Sequence, residues 1–278
     1  MKIDAHQHFW ALSRGDYGWL TPGLTPLYRD FQPADLAPLL KRQGIGGAIL
    51  VQAAPTLGET HYMLELAAAE DFIKGVVGWV DFASPDAPEV ITDLAQNRLL
   101  VGLRPMIQDI ADDDWMLGDM LTPAFRKVVE TGLVFDALTL PRHLPNLIKL
   151  LDRHPDLNVV IDHGSKPAIA RGDIVDWAAA MKTLADGTKV SVKLSGLVTE
   201  AGADWTPKTL RPYVDFLLKT FGPSRMIWGS DWPVCTLACT YEKWCETTKI
   251  LLGELGDADV AAIMGGNAIQ TYQLNVSE

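Results

Sequence analysis

A single (β/α)8 barrel is the fold this sequence predicts, and three observations carry that prediction. Strand-like and helical stretches alternate eight times along the chain, and 278 residues is the usual size for such a barrel. Polar side chains also recur at the ends of the strand-like runs, from the first to the last. A doubly wound open sheet would gather them at one switch point instead, which disfavours it. One domain covering residues 1–278 is therefore expected.

The first strand is Ile3-Asp4-Ala5-His6-Gln7-His8-Phe9, apolar and extended, and strict alternation puts Asp4, His6 and His8 on one face. Residues 14–31 are rich in Gly, Pro and aromatics (Tyr17, Trp19, Tyr28) and read as a long loop over the barrel mouth. Pro33 opens a helix to Gln43 with Leu36, Leu39 and Leu40 on one side, Gly44 stops it, and the apolar run 47–54 follows as a strand. The unit then repeats. Helices are expected near 57–70, 88–96, 123–131, 144–153, 174–184 and 210–221, and strands near 73–80, 99–106, 133–139, 158–163, 189–195 and 225–231. The segment 241–272 supplies more than one further helix, and eight β/α units is the count that closes a barrel.

Composition narrows the function. A hydrophobic fraction of 48% with 21% charged residues describes an ordinary globular chain, and 35 acidic against 24 basic residues give a net charge of −11. That charge opposes nucleic acid or an anionic membrane as partner, and no apolar run approaches the roughly 20 residues of a membrane-spanning helix. The first strand leaves no room for a signal peptide, so a cytoplasmic protein is expected. Cys235, Cys239 and Cys245 lack the spacing of a zinc site and read as reduced thiols. Oligomeric state is not legible.

A barrel places its chemistry at the C-terminal ends of its strands. Those ends carry His6 and His8, Gln52, Arg104, His163, Lys193 and Asp231. Each has a structural alternative: Arg104 and Lys193 as partners of an internal carboxylate such as Asp4, His163 as a satisfied core histidine, Gln52 as a loop-pinning hydrogen bonder. Together they would make a barrel mouth costly to desolvate unless it meets water or a ligand. Asp231 stands out, in Gly229-Ser230-Asp231-Trp232-Pro233 after an apolar strand. Facing His6 and His8, its carboxylate could deprotonate a water or hold a metal, while the imidazoles could polarise a carbonyl.

His6-Gln7-His8, Asp162-His163-Gly164, Lys193-Leu194-Ser195-Gly196 and Gly229-Ser230-Asp231-Trp232-Pro233 together resemble the amidohydrolase superfamily, and Gly266-Asn267-Ala268 resembles its terminal helix. More narrowly the set resembles the amidohydrolase-related, sugar-lactonase branch, which includes L-fuconolactonases, L-rhamnonolactonases and pyrone-dicarboxylate lactonases. The resemblance implies a lactone hydrolase in which Asp231 is the general base and His6, His8 and His163 polarise the carbonyl or, with Asp231, hold a single zinc. Trp10, Gln52, Arg104, Lys193 and Trp232 would line the pocket, with Trp19 beside them. The chain departs from the metal-dependent pattern: strand five ends Phe135-Asp136-Ala137-Leu138-Thr139 without a histidine, and strand four offers Arg104. The expectation is therefore catalysis that does not require a metal, with zinc occupancy left open. With only Arg104 and Lys193 to meet anions, a neutral sugar-acid lactone of the fucono, rhamnono or galactono kind is expected over a pyrone dicarboxylate. A metal-dependent decarboxylase and a barrel that binds a sugar acid without turning it over are the alternatives.

Overall fold

A computed structural model describes residues 1–276. Eight parallel strands form one sheet in sequential order: β1 (Ile3–Gln7), β2 (Gly47–Val51), β3 (Ile73–Gly78), β4 (Leu100–Leu103), β5 (Val134–Ala137), β6 (Val159–Ile161), β7 (Ser191–Leu194) and β8 (Met226–Trp228). A bridge between Gln7 and Trp232 brings the end of β8 back to β1 and closes the barrel. Helices α1 (Pro33–Gln43), α2 (Leu57–Ala69), α3 (Ala87–Leu94), α4 (Thr122–Thr131), α5 (Leu144–Arg153), α6 (Val175–Gly187), α7 (Pro207–Phe221) and α8 (Tyr241–Leu251) follow the strands in turn. Among the described residues no helix is long and apolar enough to cross a membrane. The three cysteines are buried free thiols.

Local chemistry explains the boundaries. Pro33 sits in the first turn of α1, the Asp35 carboxylate accepts from the Gln32 N–H at 2.8 Å, and Gly44 ends the helix at φ 64°. The strands are shorter than the sequence suggests at their functional ends. β6 stops at Ile161 because His163 and Gly164 turn to φ 53° and 56°, and β8 stops at Trp228 ahead of Asp231 at φ 58°. Polar residues follow at once in both places, Asp162-His163-Gly164 after β6 and Gly229-Ser230-Asp231 after β8, so the site begins where each strand ends.

The interior is layered. At the bottom lie Ile3, Ala5, Ile49, Val51, Val77, Val101, Val134, Val160 and Ile227, closed off below by Ala268, Tyr272 and Leu274 from the C-terminal segment. A larger cluster fills the shell between strands and helices, where each fully buried aliphatic side chain contributes about 1.5–3 kcal/mol. One expectation fails here. Between Asp4 and Gln7 the register of β1 against β2 shifts, three steps on one strand matching two on the other, as a β-bulge does. Ile3 and Ala5 therefore face the barrel interior with His6, while Asp4 faces outward. It accepts from the Tyr241 hydroxyl of α8 at 3.0 Å and the Ser230 N–H at 2.7 Å. Asp4 does not share a face with the two histidines, and it is not the partner of Arg104 or Lys193.

Candidate active site

Directly above the apolar layer lies a buried layer of charge. Lys193 Nζ is 2.5 Å from Asp136 Oδ2 and 3.0 Å from Asp162 Oδ1, and Arg104 Nη1 is 3.2 Å from Asp162 Oδ2. Tyr272, rising from the closing segment, donates its hydroxyl to Asp136 Oδ1 at 2.7 Å. The Arg104 guanidinium also donates to the Gln52 carbonyl, and the Gln52 amide returns a bond to the Arg104 carbonyl at 2.6 Å. Two carboxylates thus meet two cations. Burial works against ionising Asp162, yet Lys193, His6 and Arg104 hold it well below the usual carboxylate range.

His6 joins this layer to the one above. Its Nδ1 lies 3.1 Å from Lys193 Nζ and 3.4 Å from Asp162 Oδ1, and its Nε2 lies 3.2 Å from Arg104 Nη1. Burial, helped by the Lys193 charge, drives its pKa well below the ordinary value, so it is a neutral imidazole. Gly229 makes room for it: a Cβ there would fall 2.6 Å from the His6 Cβ.

The mouth holds Asp231, His8 and His163. Asp231 Oδ1 is 3.3 Å from His8 Nε2, 3.8 Å from His6 Nε2 and 3.9 Å from His163 Nε2. The left-handed backbone at Asp231 is pinned by its own N–H, which donates to the His6 carbonyl at 2.7 Å. His8 donates from Nδ1 to the Val51 carbonyl at 2.7 Å, which turns Nε2 toward Asp231. His163 Nδ1 bonds Ser195 Oγ at 2.9 Å, and a Cβ at Gly196 would fall 2.4 Å from that nitrogen, so only glycine fits (φ 64°). Burial would raise the pKa of Asp231, but His163, the hydrogen bond from His8 and the His6 ring hold it below the usual range. Burial lowers His163 to about 4. At neutral pH the mouth contains an ionised carboxylate facing neutral His6 and His163.

These groups open on a cavity of about 230 Å³ lined by His8, Arg104, His163 and Asp231, with Trp19, Ala53, Met106, Leu138 and Val234 as apolar wall. Gln108, Asp109 and Lys166 complete it. Trp10 is buried behind Trp19, bonding the Arg29 carbonyl, and Trp232 packs on Phe9 and Phe31. Gln52 and Lys193 lie below the cavity in the charge layer. The residues that sequence reading left unassigned are Asp136 and Asp162 as partners of the cations, and Lys166. The two aspartates carried a signal, a carboxylate in phase with the inward Val134 and Val160. Lys166 carried none, since it lies beyond the strand in a turn.

A single divalent cation fits these donors. One ligand atom each from His6, His163 and Asp231 lie within 4.8 Å of one another. With Nδ1 of His8 engaged by the Val51 carbonyl, its Nε2 meets the Asp231 oxygen at 3.3 Å across a proton or a cation.

An eight-stranded barrel with two histidines ending β1 and an aspartate beyond β8 defines a class of hydrolytic enzyme, and the comparison of sequences agrees. The chain belongs to the amidohydrolase family, whose sequence profile matches residues 3–274. It is 45% identical to an L-fucono-1,5-lactonase of Burkholderia ambifaria, over 99% of this chain and 96% of that protein. It is 37% identical to an L-fucono-1,5-lactonase of Burkholderia multivorans, with the same coverage. Among solved structures, an amidohydrolase from Burkholderia multivorans with bound zinc superposes with a TM-score of 0.94 at 35% identity, covering 99% of this chain and 100% of that one.

Proposed function

We propose that residues 1–278 act as one cytoplasmic catalytic domain that hydrolyses neutral sugar-acid lactones of the L-fucono, L-rhamnono or galactono kind. The observation that carries the reading is the convergence of three imidazole Nε2 atoms, within 3.3–3.9 Å, on the Asp231 carboxylate at the cavity floor. A water beside Asp231 gives up a proton to the carboxylate as it attacks the lactone carbonyl. His8 and His163 face the oxygen that gains charge. The C–O bond of the ring then breaks, the proton passes to the departing ring oxygen, and the hydroxy acid loses its carboxyl proton to solvent.

The likeness to L-fucono-1,5-lactonases supports the substrate class, and the site's charge supports a neutral substrate. Arg104 and Lys193 are already matched by Asp162 and Asp136, leaving no pair of free cations for a dicarboxylate. A cavity of about 230 Å³ is smaller than the roughly 300–1,000 Å³ of drug-sized pockets, which suits one small ring against Trp19. His8, His163 and Asp231, with His6, would hold a divalent cation, and such an ion when bound would polarise the carbonyl. We propose that turnover does not require it, because His6 Nε2 is already engaged by Arg104.

Acid release from neutral aldono-1,5-lactones and from pyrone dicarboxylates, followed with a pH indicator, tests the reading. A desolvated anionic group without a partner costs about 1–3 kcal/mol or more, so kcat/KM for the neutral class should lead by at least about tenfold. Preference for the dicarboxylate, or no lactone turnover, would overturn it.

A further inference from the structure

The reaction just proposed creates a charge that the site must meet: a neutral lactone becomes a carboxylate next to the anionic Asp231. Two cationic side chains border the cavity, Arg104 and Lys166. Arg104 is bound to Asp162 and to the Gln52 carbonyl, and Lys193 below it is bound to Asp136 and Asp162. Lys166 is in none of the ion pairs among the described residues, which leaves its ammonium available. Glu200 feels the Lys166 charge, which opposes the upward push of burial on that carboxyl, but lies beyond ion-pair distance.

The backbone supports a placed side chain here. His163, Gly164, Ser165 and Lys166 all have positive φ, at 53°, 56°, 60° and 48°, and only the glycine adopts that region freely. Three non-glycine residues held so within four positions cost free energy that the surroundings must supply. The supports are visible: Lys166 N–H donates to the His163 carbonyl at 2.9 Å, Trp177 Nε1 donates to the Gly164 carbonyl at 2.7 Å, and Ser165 Oγ bonds Thr139 Oγ1 at 2.9 Å. The result brings His163 and Lys166 to the wall of one cavity.

From these observations, and resting on the lactonase reading, we propose that Lys166 is a catalytic residue that pairs with the negative charge formed at the lactone carbonyl and retained as the product carboxylate. The substrate carries no such charge, so the pairing exists only from attack onward and acts on kcat rather than on lactone affinity. It also makes the open-chain acid bind more tightly than its neutral ring analogue.

The test compares Lys166→Met and Lys166→Arg with the wild-type enzyme, using L-fuconate and L-fucose as competitive inhibitors of lactone hydrolysis. Lys166→Met should lower kcat about tenfold with KM within about twofold, and weaken L-fuconate inhibition about tenfold or more, the scale of one charge-assisted hydrogen bond. Inhibition by neutral L-fucose should stay within about twofold, and Lys166→Arg should restore the L-fuconate value to within about threefold. A Lys166→Met enzyme that matches wild type, or that loses both inhibitors equally, overturns the assignment while leaving the lactonase reading intact. A wild-type enzyme that L-fuconate does not inhibit also overturns it. Failure of the wild type to hydrolyse any neutral lactone removes the lactonase reading and this inference with it.

Discussion

Two layers of charged side chains lie one above the other within the same barrel and both contain aspartate and lysine, yet their circumstances are opposite. In the lower layer Lys193 and Arg104 meet Asp136 and Asp162 at 2.5–3.2 Å, and all four are buried. In the mouth, Asp231 faces three imidazoles at 3.3–3.9 Å and borders a cavity, and Lys166 is in no ion pair among the described residues. The lower layer is neutralised within itself, and of its four charged groups Arg104 alone reaches the cavity wall. The upper one is electrostatically unfinished, and a substrate, a water or an ion completes it. A charge at a strand end is therefore informative about function only once its partners are counted.

The largest expected effects separate the layers. Lys193→Met removes one cation from between two buried carboxylates, and breaking such a pair costs about 3–5 kcal/mol. Heating should show it, as a Tm lower by roughly 10 °C at about 2–4 °C per kcal/mol for a chain of this class of size. Asp231→Asn should do the reverse, leaving Tm within a few degrees while kcat falls at least about a hundredfold, the lower end of a general-base contribution. The two-layer picture breaks if Lys193→Met melts like wild type, or if Asp231→Asn turns over normally.

Acidity sharpens the same contrast. Asp231 has a depressed pKa, so it is ionised above that value, and the base of the proposed reaction is lost only as pH falls through it. On the way down, His163 takes up its proton first, near 4, giving Asp231 a cationic neighbour that weakens it further as a base. The acid limb of kcat/KM should accordingly lie at or below about pH 4, with a flat profile from there to neutrality. A limb centred near 6.5, the ordinary histidine value, would mean that an imidazole free of the burial seen here controls the rate.

Much of this was legible in the chain. Eight alternations gave the barrel, and Pro33, Gly44 and the Leu36/Leu40 spacing placed α1 at its observed bounds. His6, His8, His163 and Asp231 were each recognisable and do converge. What the pattern could not carry was depth. Strict alternation put Asp4 beside His6, and a bulge, which inserts one residue without a compositional mark, turned Asp4 outward to Tyr241. A cation at a strand end reads the same whether its partner is a ligand or an aspartate two strands away: Lys193 lies below the cavity on Asp136 and Asp162, whereas Arg104 both pairs with Asp162 and borders the cavity. Trp10 and Trp232 have the chemistry of sugar-stacking residues, but packing against Trp19, Phe9 and Phe31 decides their role. Lys166 depends on a run of left-handed residues in which only Gly164 announces itself.

The smallest expected effect concerns metal, and it decides to which layer His6 belongs. As the structure stands, both ring nitrogens of His6 point at partners of the lower layer, Nδ1 at Lys193 and Asp162 and Nε2 at Arg104. Zinc bound in the mouth would need the Nε2 lone pair of His6 or would rest on His8, His163 and Asp231 alone. On β5, where a further ligand would help, Asp136 is engaged by Lys193 and Tyr272. Zinc commonly takes four ligands, a catalytic site supplying three from protein and one from water, so this set can hold an ion at the cost of occupying the carboxylate that the proposed reaction uses as base. Prolonged dialysis against a chelator, with zinc content measured alongside activity, should thus leave kcat within about twofold of its starting value even where bound metal is removed; a twofold change is about 0.4 kcal/mol of barrier. Complete loss, restored by one equivalent of Zn²⁺, would move His6 out of the supporting layer and free its Nε2 from Arg104 for the metal.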